Sequence, residues 1–265
     1  MPPHEPYVRS AGAGPGVVCL HANASTSGQW RSLIDRLSGR YRVFAPDSYG
    51  AGKSPEWPSD RVISLRDEAA LVEPVLAAAG TPFALVGHSY GAAVALRAAL
   101  DAPRRLRALA VYEPTLFALV DAHTPPPNRV DGIRNTVAAA ASALEAGNRD
   151  AAAEHFIDYW MGEGAWSATA PERRPAIADS MINVRRWAHA LLSERATLAE
   201  FRSLDVPVLY MIGKRSPESA REVARLLLSA LPRATVREFD GLGHMGPITH
   251  PKPVNEAIAA FLDEV

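Results

Sequence analysis

Short apolar runs alternate along the chain with longer segments in which apolar residues recur at helical spacing. Short runs that are rich in β-branched and aromatic residues and end in Gly, Pro or Asp predict strands. Their alternation with helices favours an α/β fold with a mainly parallel sheet flanked by helices. Strands are predicted at Gly16–His21, Tyr41–Pro46, Phe83–Gly87, Leu106–Tyr112, Val208–Ile212 and Ala234–Phe239, and helices at Leu65–Ala79, Gly91–Leu100, Ser219–Ala230 and Val254–Val265.

One long segment interrupts this alternation, because no convincing strand occurs between about Leu116 and Arg202. It opens with the turn-rich stretch Asp121–Asn128 and continues with three helical patterns, at Val130–Ala146, Arg149–Trp160 and Pro175–Leu192. Strands resume after it, so we interpret residues 116–203 as a helical cap inserted into one domain. Residues 1–115 and 204–265 then form the α/β core.

The composition limits the binding partners and the cellular compartment that are expected for this chain. The chain has 28 Lys and Arg against 29 Asp and Glu, a balance that favours neither nucleic acid nor an anionic membrane surface as partner. No apolar stretch approaches the ~20 residues of a membrane span, and the N-terminus lacks the pattern of a signal peptide. The single cysteine, Cys19, lies in an apolar run and is interpreted as a buried strand residue. We expect a cytoplasmic protein that acts on a small molecule.

The pentapeptide Gly87-His88-Ser89-Tyr90-Gly91 matches the pattern G-x-S-x-G. A predicted strand leads into it and a predicted helix leaves it, which is the setting that a nucleophile elbow requires. The turn would lift the Ser89 hydroxyl to the carboxyl end of the sheet, where open α/β sheets bind ligands. Ser89 is therefore the candidate nucleophile.

His244 lies in Gly241-Leu242-Gly243-His244-Met245, between the last predicted strand and the last predicted helix. A loop histidine flanked by glycines can reach a neighbouring strand end and accept the proton of a serine. We therefore predict that His244 is the general base.

With these two residues, the chain resembles the α/β-hydrolase superfamily over nearly its whole length. The resemblance rests on four motifs in the superfamily's order: Leu20-His21-Ala22-Asn23 followed by Gln29-Trp30, the loop Asp47–Ser54, the Ser89 elbow, and Gly241-x-Gly-His244 with Pro251, Val254 and Asn255 beyond it. It implies that residues 116–203 cap the active site. It also implies that the backbone N–H groups of Asn23 and Tyr90 form the oxyanion hole.

The acid of the triad departs from the superfamily's common pattern. Many relatives carry Asp shortly after the strand that corresponds to 207–213, but here that loop reads Lys214-Arg215-Ser216-Pro217. Glu113, at the end of the strand after the nucleophile helix, offers a carboxylate, and several branches take their acid from that strand. We predict that Glu113 orients His244; the alternative is a solvated carboxylate at a strand end.

These residues predict a serine hydrolase of carboxylesterase type, which cleaves a carboxylic ester or lactone through an acyl-enzyme and needs no metal or organic cofactor. Hydrolysis of C–C bonds and acyl transfer stay open on the same triad. A non-catalytic ligand receptor with this fold is an alternative of another class. Aromatic residues of the cap indicate an apolar or aromatic substrate, with candidate contacts at Phe117, Trp160, Trp166 and Trp187.

Overall fold

A seven-stranded sheet runs through the molecule, which the computed structural model describes over residues 5–265. Its strands are β1 (Val8–Ala11), β2 (Gly16–Leu20), β3 (Arg42–Pro46), β4 (Phe83–His88), β5 (Leu106–Tyr112), β6 (Val208–Gly213) and β7 (Ala234–Phe239). Their spatial order is β1-β3-β2-β4-β5-β6-β7. Only β1 is antiparallel to its neighbour, so the carboxyl ends of β2 to β7 meet at one edge.

Helices flank this sheet on both faces. The helices of the described residues are α1 (Arg31–Leu37), α2 (Leu65–Ala78), α3 (Tyr90–Asp101), α4 (Phe117–His123), α5 (Asp131–Glu145), α6 (Arg149–Met161), α7 (Ala165–Ala168), α8 (Arg174–Ser180), α9 (Val184–Leu192), α10 (Leu198–Arg202), α11 (Glu218–Leu228), α12 (Gly246–Thr249) and α13 (Pro251–Glu264). Short 3₁₀ helices cover Ser27–Trp30, Pro103–Arg105 and Met181–Asn183.

Burial on both faces explains why the interior strands are continuous apolar runs rather than alternating ones. Every residue of β2 and of β4 is buried. The apolar side chains divide into two clusters, one of which contains Val18 and Leu85 and the other Cys19 and Val86. Burial of Cys19 raises the pKa of its thiol, as expected for a cysteine that serves packing and not reactivity.

The segment between β5 and β6 contains only helices, α4 to α10. Its apolar residues, among them Phe156, Trp160 and Trp187, belong to the same cluster as the side chains on one face of the sheet. These helices are therefore packed onto the sheet through a shared hydrophobic interior. None of the helices within residues 5–265 has the length and apolar character needed to cross a bilayer.

The predicted fold class, a mainly parallel sheet flanked by helices, is confirmed. One local prediction is wrong. The predicted continuous helix at Pro175–Leu192 is broken by the 3₁₀ turn Met181–Asn183, where Met181 and Asn183 are both buried. In the stretch predicted to be turn-rich, Asp121–Asn128, α4 continues to His123 and no regular element covers the remaining residues.

Candidate active site

Ser89 lies at the turn between β4 and α3 and adopts φ 55° and ψ −116°, a conformation that L-residues rarely take. Two glycines make the turn possible. A Cβ on Gly87 would lie 2.5 Å from the Ala92 Cα, and one on Gly91 would lie 2.3 Å from the Leu20 carbonyl oxygen. The sequence G-x-S-x-G therefore lets α3 approach the sheet closely while the strained turn projects Ser89.

The three residues predicted as a triad form one hydrogen-bonded chain at the carboxyl edge of the sheet. His244 Nε2 lies 2.8 Å from Ser89 Oγ, and His244 Nδ1 lies 2.7 Å from Glu113 Oε2. All three side chains are buried. In a water-poor site a carboxylate on Nδ1 fixes the tautomer in which Nε2 can accept the proton of Ser89.

Glu113 follows β5 and has φ 45°, a second strained backbone position at this edge. Its Oε1 accepts hydrogen bonds from the Gly213 backbone N–H at 2.7 Å and from the Ser216 hydroxyl at 2.6 Å. Ser216 occupies the loop after β6 in which many relatives carry the acid. The end of β6 and the loop after it therefore each supply a hydrogen-bond donor that holds Glu113, a role that the sequence alone did not indicate.

The residues predicted for the oxyanion hole lie beside the nucleophile. Tyr90 begins α3 directly after Ser89, and Asn23 lines the cavities that Ser89 also lines. Within the part of the chain that the structure describes, the backbone N–H groups of Asn23 and Tyr90 donate no hydrogen bond. Both groups are thus free to donate to an oxyanion.

A second chain of hydrogen bonds, which sequence reasoning missed, supports this arrangement. The Ala22 N–H donates to Gln29 Oε1 at 3.1 Å, and Gln29 Nε2 lies 3.1 Å from His88 Nδ1. His88 Nε2 lies 2.8 Å from the His244 carbonyl oxygen. Burial, and after it the electrostatic influence of the neighbouring His244 imidazole, hold the pKa of His88 well below its usual value, which favours the neutral form of His88. One tautomer satisfies every contact, with Gln29 donating to Nδ1 and Nε2 donating to His244.

Two cavities meet at Ser89, and both are also lined by Asn23, Phe156 and Trp160. The first, which we call the open cavity, has a volume of about 490 Å³ and is lined by His244. Its other walls mix apolar and charged residues, including Ile157, Met161, Ile177, Arg31, Asp35 and Arg173. The second, which we call the small cavity, has a volume of about 20 Å³ and mainly apolar walls, among them Phe117, Ile133, Val184, Trp187 and Leu191.

The four aromatic residues predicted to contact substrate occupy different places. Phe117, Trp160 and Trp187 line the small cavity, and Trp160 also lines the open one. The Trp160 ring stacks on the His244 imidazole with a centroid separation of 3.8 Å. Trp166 lines neither cavity: it is buried below the Arg174 guanidinium, in disagreement with a substrate contact.

Within residues 5–265, no group of three or more His, Cys, Asp or Glu side chains is placed so that it could hold a metal ion.

Comparison with known proteins agrees with this geometry. The putative carbamate hydrolase RutD of Azorhizobium caulinodans is 27% identical over 98% of this chain and 95% of its own length. The pimeloyl-[acyl-carrier protein] methyl ester esterase of Nitrosomonas europaea is 24% identical over 93% of this chain and 95% of its own. The chain is thus similar along its length to proteins named as hydrolases.

Solved structures give the same fold. An alpha/beta hydrolase from Sphaerobacter thermophilus superposes with a TM-score of 0.73 at 26% identity, covering 97% of this chain and 95% of that one. The enol-lactonase of Burkholderia xenovorans superposes with a TM-score of 0.76 at 16% identity, covering 97% and 96%. The family model for the alpha/beta hydrolase fold matches residues 15–251. The chain therefore belongs to the alpha/beta hydrolase family and is a hydrolase of that fold.

Proposed function

We propose that this protein is a serine hydrolase of carboxylesterase type, which cleaves a carboxylic ester or a lactone through a Ser89-His244-Glu113 triad. The observation that carries the proposal is the buried chain of two hydrogen bonds from Ser89 Oγ through His244 to Glu113. The names of two relatives, a carbamate hydrolase and a methyl ester esterase, support cleavage of a carbonyl with a heteroatom leaving group.

The reaction proceeds in two steps. His244 takes the proton of Ser89 as the oxygen attacks the carbonyl carbon, and Glu113 stabilises the imidazolium that forms. The oxyanion accepts hydrogen bonds from the Asn23 and Tyr90 amides. The bond to the leaving oxygen breaks, and His244 returns the proton to that oxygen. Water, deprotonated by His244, then attacks the acyl-enzyme and releases the acid and Ser89.

Trp160 contributes to this sequence through its contact with His244. Its ring lies nearly parallel to the imidazole, at 24° between planes. The indole face is negative, so it stabilises the imidazolium that exists only while the proton is on Nε2. The stack also keeps water from one face of the His244 imidazole, and Trp160 thereby helps to hold the general base in position.

Stopped-flow measurement with an activated aryl ester tests the proposal. The wild type should release a burst of phenol equal to one equivalent per chain, followed by slower turnover. Ser89→Ala should give neither burst nor turnover above background while keeping its thermal unfolding temperature. A ligand receptor without catalysis predicts no burst in the wild type and unchanged ligand binding in Ser89→Ala, and that pattern would overturn the proposal.

A further inference from the structure

The two cavities at Ser89 differ in their access to the general acid, and this difference orients the substrate. The leaving oxygen must receive its proton from His244, so the leaving group has to lie on the side of the nucleophile where His244 is exposed. His244 lines the open cavity and does not line the small one. If the proposed acyl-transfer chemistry holds, on which this inference rests, the leaving group occupies the open cavity and the acyl group the small one.

The size of the small cavity limits the acyl group. A volume of about 20 Å³ exceeds the ~10–15 Å³ that a single water needs, and it leaves little more. The walls come from four helices, with Phe117 on α4, Ile133 on α5, Trp160 on α6 and Trp187 on α9. Phe117, Trp160 and Trp187 are at most 7% exposed, so the cavity cannot widen without moving packed aromatic rings. A short acyl chain fits here and a long one does not.

Thr115 gives this apolar cavity one unsatisfied polar group. Thr115 lines the small cavity and is 1% exposed, and its Oγ1 has no hydrogen-bond partner among the described residues. Such an orphaned hydroxyl is costly in a packed interior unless a ligand or water pairs with it. The guanidinium of Arg134, which also lines the cavity, is already paired with Asp121 and Asp131. The Thr115 hydroxyl is therefore a fully buried polar group of this cavity without a partner, and it is available to recognise a substrate atom.

We propose that the small cavity binds a short acyl group that carries an oxygen or nitrogen near the carbonyl, and that this atom accepts a hydrogen bond from Thr115 Oγ1. A hydroxy-, alkoxy- or oxo-substituted short-chain acid has this chemistry. Thr115 is thus a specificity-determining residue, and the enzyme discriminates against a plain alkyl chain because that chain leaves the buried hydroxyl unpaired.

Pairs of benzyl esters that differ by one atom test this proposal. Benzyl glycolate and benzyl propionate differ by OH against CH₃, and benzyl methoxyacetate and benzyl butyrate differ by O against CH₂. The value of kcat/KM for each ester is divided by its rate of alkaline hydrolysis, which removes intrinsic reactivity. The oxygen-to-carbon ratio is then compared between the wild type and Thr115→Val, which keeps the shape of the side chain and removes the hydroxyl.

For at least one pair, the wild-type ratio should exceed the Thr115→Val ratio by about tenfold, the effect of one buried hydrogen bond. Thr115→Ser, which retains the hydroxyl, should stay close to the wild type. Ratios equal within twofold for both pairs would overturn the proposal. The wild type alone provides a test that needs no variant: benzyl octanoate should be cleaved at least about tenfold more slowly than benzyl butyrate, and equal rates would also overturn the proposal.

The outcomes separate this inference from the function on which it rests. Rapid cleavage of all the esters by the wild type, with equal ratios in Thr115→Val, removes the role of Thr115 and leaves the serine hydrolase intact. No cleavage of any ester, together with no covalent adduct of a fluorophosphonate on Ser89, would overturn both proposals.

Discussion

Replacing Glu113 by Gln should disable the general base His244, because the side-chain amide of the new Gln can point its NH₂ group only at the imidazole. Gly213 N–H and Ser216 Oγ both donate to Glu113 Oε1, at 2.7 and 2.6 Å. The backbone N–H of Gly213 is a donor that cannot reverse, so the carbonyl oxygen of the new Gln must face it. The Gln NH₂ group is then directed at His244 Nδ1. It donates there, moves the ring proton to Nε2, and leaves Ser89 facing a donor instead of a base.

The loss should be large because it combines the wrong tautomer with an uncompensated imidazolium in a buried site. In a comparable triad, the amide substitution of the acid lowers kcat by about 10⁴, which corresponds to about 5 kcal/mol of activation free energy. The assay is kcat for an aryl ester, with thermal unfolding to verify the fold. Ser216→Ala is the matched control, since it removes one donor and keeps the carboxylate. It should cost about tenfold in kcat. A kcat for Glu113→Gln within tenfold of the wild type would refute this reasoning.

Three further predictions concern the surroundings of the triad. Gly91→Ala places a Cβ 2.3 Å from a main-chain oxygen of β2 and should lower the free energy of unfolding in urea by about 3 kcal/mol, whereas Gly39→Ala, with no atom within 4 Å, should change it little; equal effects would contradict the close approach. Burial raises the pKa of Glu68 from 4.5 to about 7, so its ionisation in the folded state costs stability as pH rises from 4.5 to 7 and the cost is constant above that. The stability of Glu68→Gln relative to the wild type should therefore increase by about 3 kcal/mol between pH 4 and pH 8, and a pH-independent difference would exclude this cause. Trp160→Leu should lower kcat by about tenfold and Trp160→Phe by less, because only the aromatic ring stabilises the His244 imidazolium; the reverse order would argue for a purely steric role.

Much of the sheet could be predicted because its interior strands are buried on both faces. The predicted bounds of the interior strand β5 are those observed, Leu106–Tyr112. The predicted bounds of β7, Ala234–Phe239, are also those observed, although β7 is an edge strand in which only Phe239 is buried; its signal is the β-branched and aromatic composition of Thr235, Val236 and Phe239. β1 was missed because its four residues, Val8–Ala11, include none that is fully buried and only one that is β-branched, Val8. Helix α1 was missed as well, since its seven residues provide only two turns of pattern.

Within the candidate site, what could be predicted depended on local motifs, and what was missed depended on tertiary contacts. Ser89 and His244 each lie in a recognisable loop, and Glu113 lies at a strand end with a carboxylate. Ser216 is 103 positions from Glu113, and the contact arises only because β5 and β6 are neighbours in the sheet. Thr115 carried no sequence signal, because an unpaired hydroxyl is defined by what surrounds it.

The separation of core and cap at residues 116–203 stays a prediction, although every regular element of this segment is a helix. Its apolar side chains belong to the same cluster as the side chains on one face of the sheet. Packing alone therefore does not show where the core ends and the cap begins. Trp160 illustrates the continuity. It lies on α6 within the insertion and stacks on His244, which follows β7. Any opening of the insertion would break that stack.

The most direct test of the account is the rate at which a fluorophosphonate labels the intact protein, followed by mass spectrometry. The wild type should gain one adduct, which peptide mapping places on Ser89, and Ser89→Ala should gain none. His244→Ala should fold and be labelled at least about 10³-fold more slowly, because the serine has lost its base. An adduct that persists in Ser89→Ala, or labelling of His244→Ala at the wild-type rate, would contradict the claim that Ser89 is a nucleophile activated by His244.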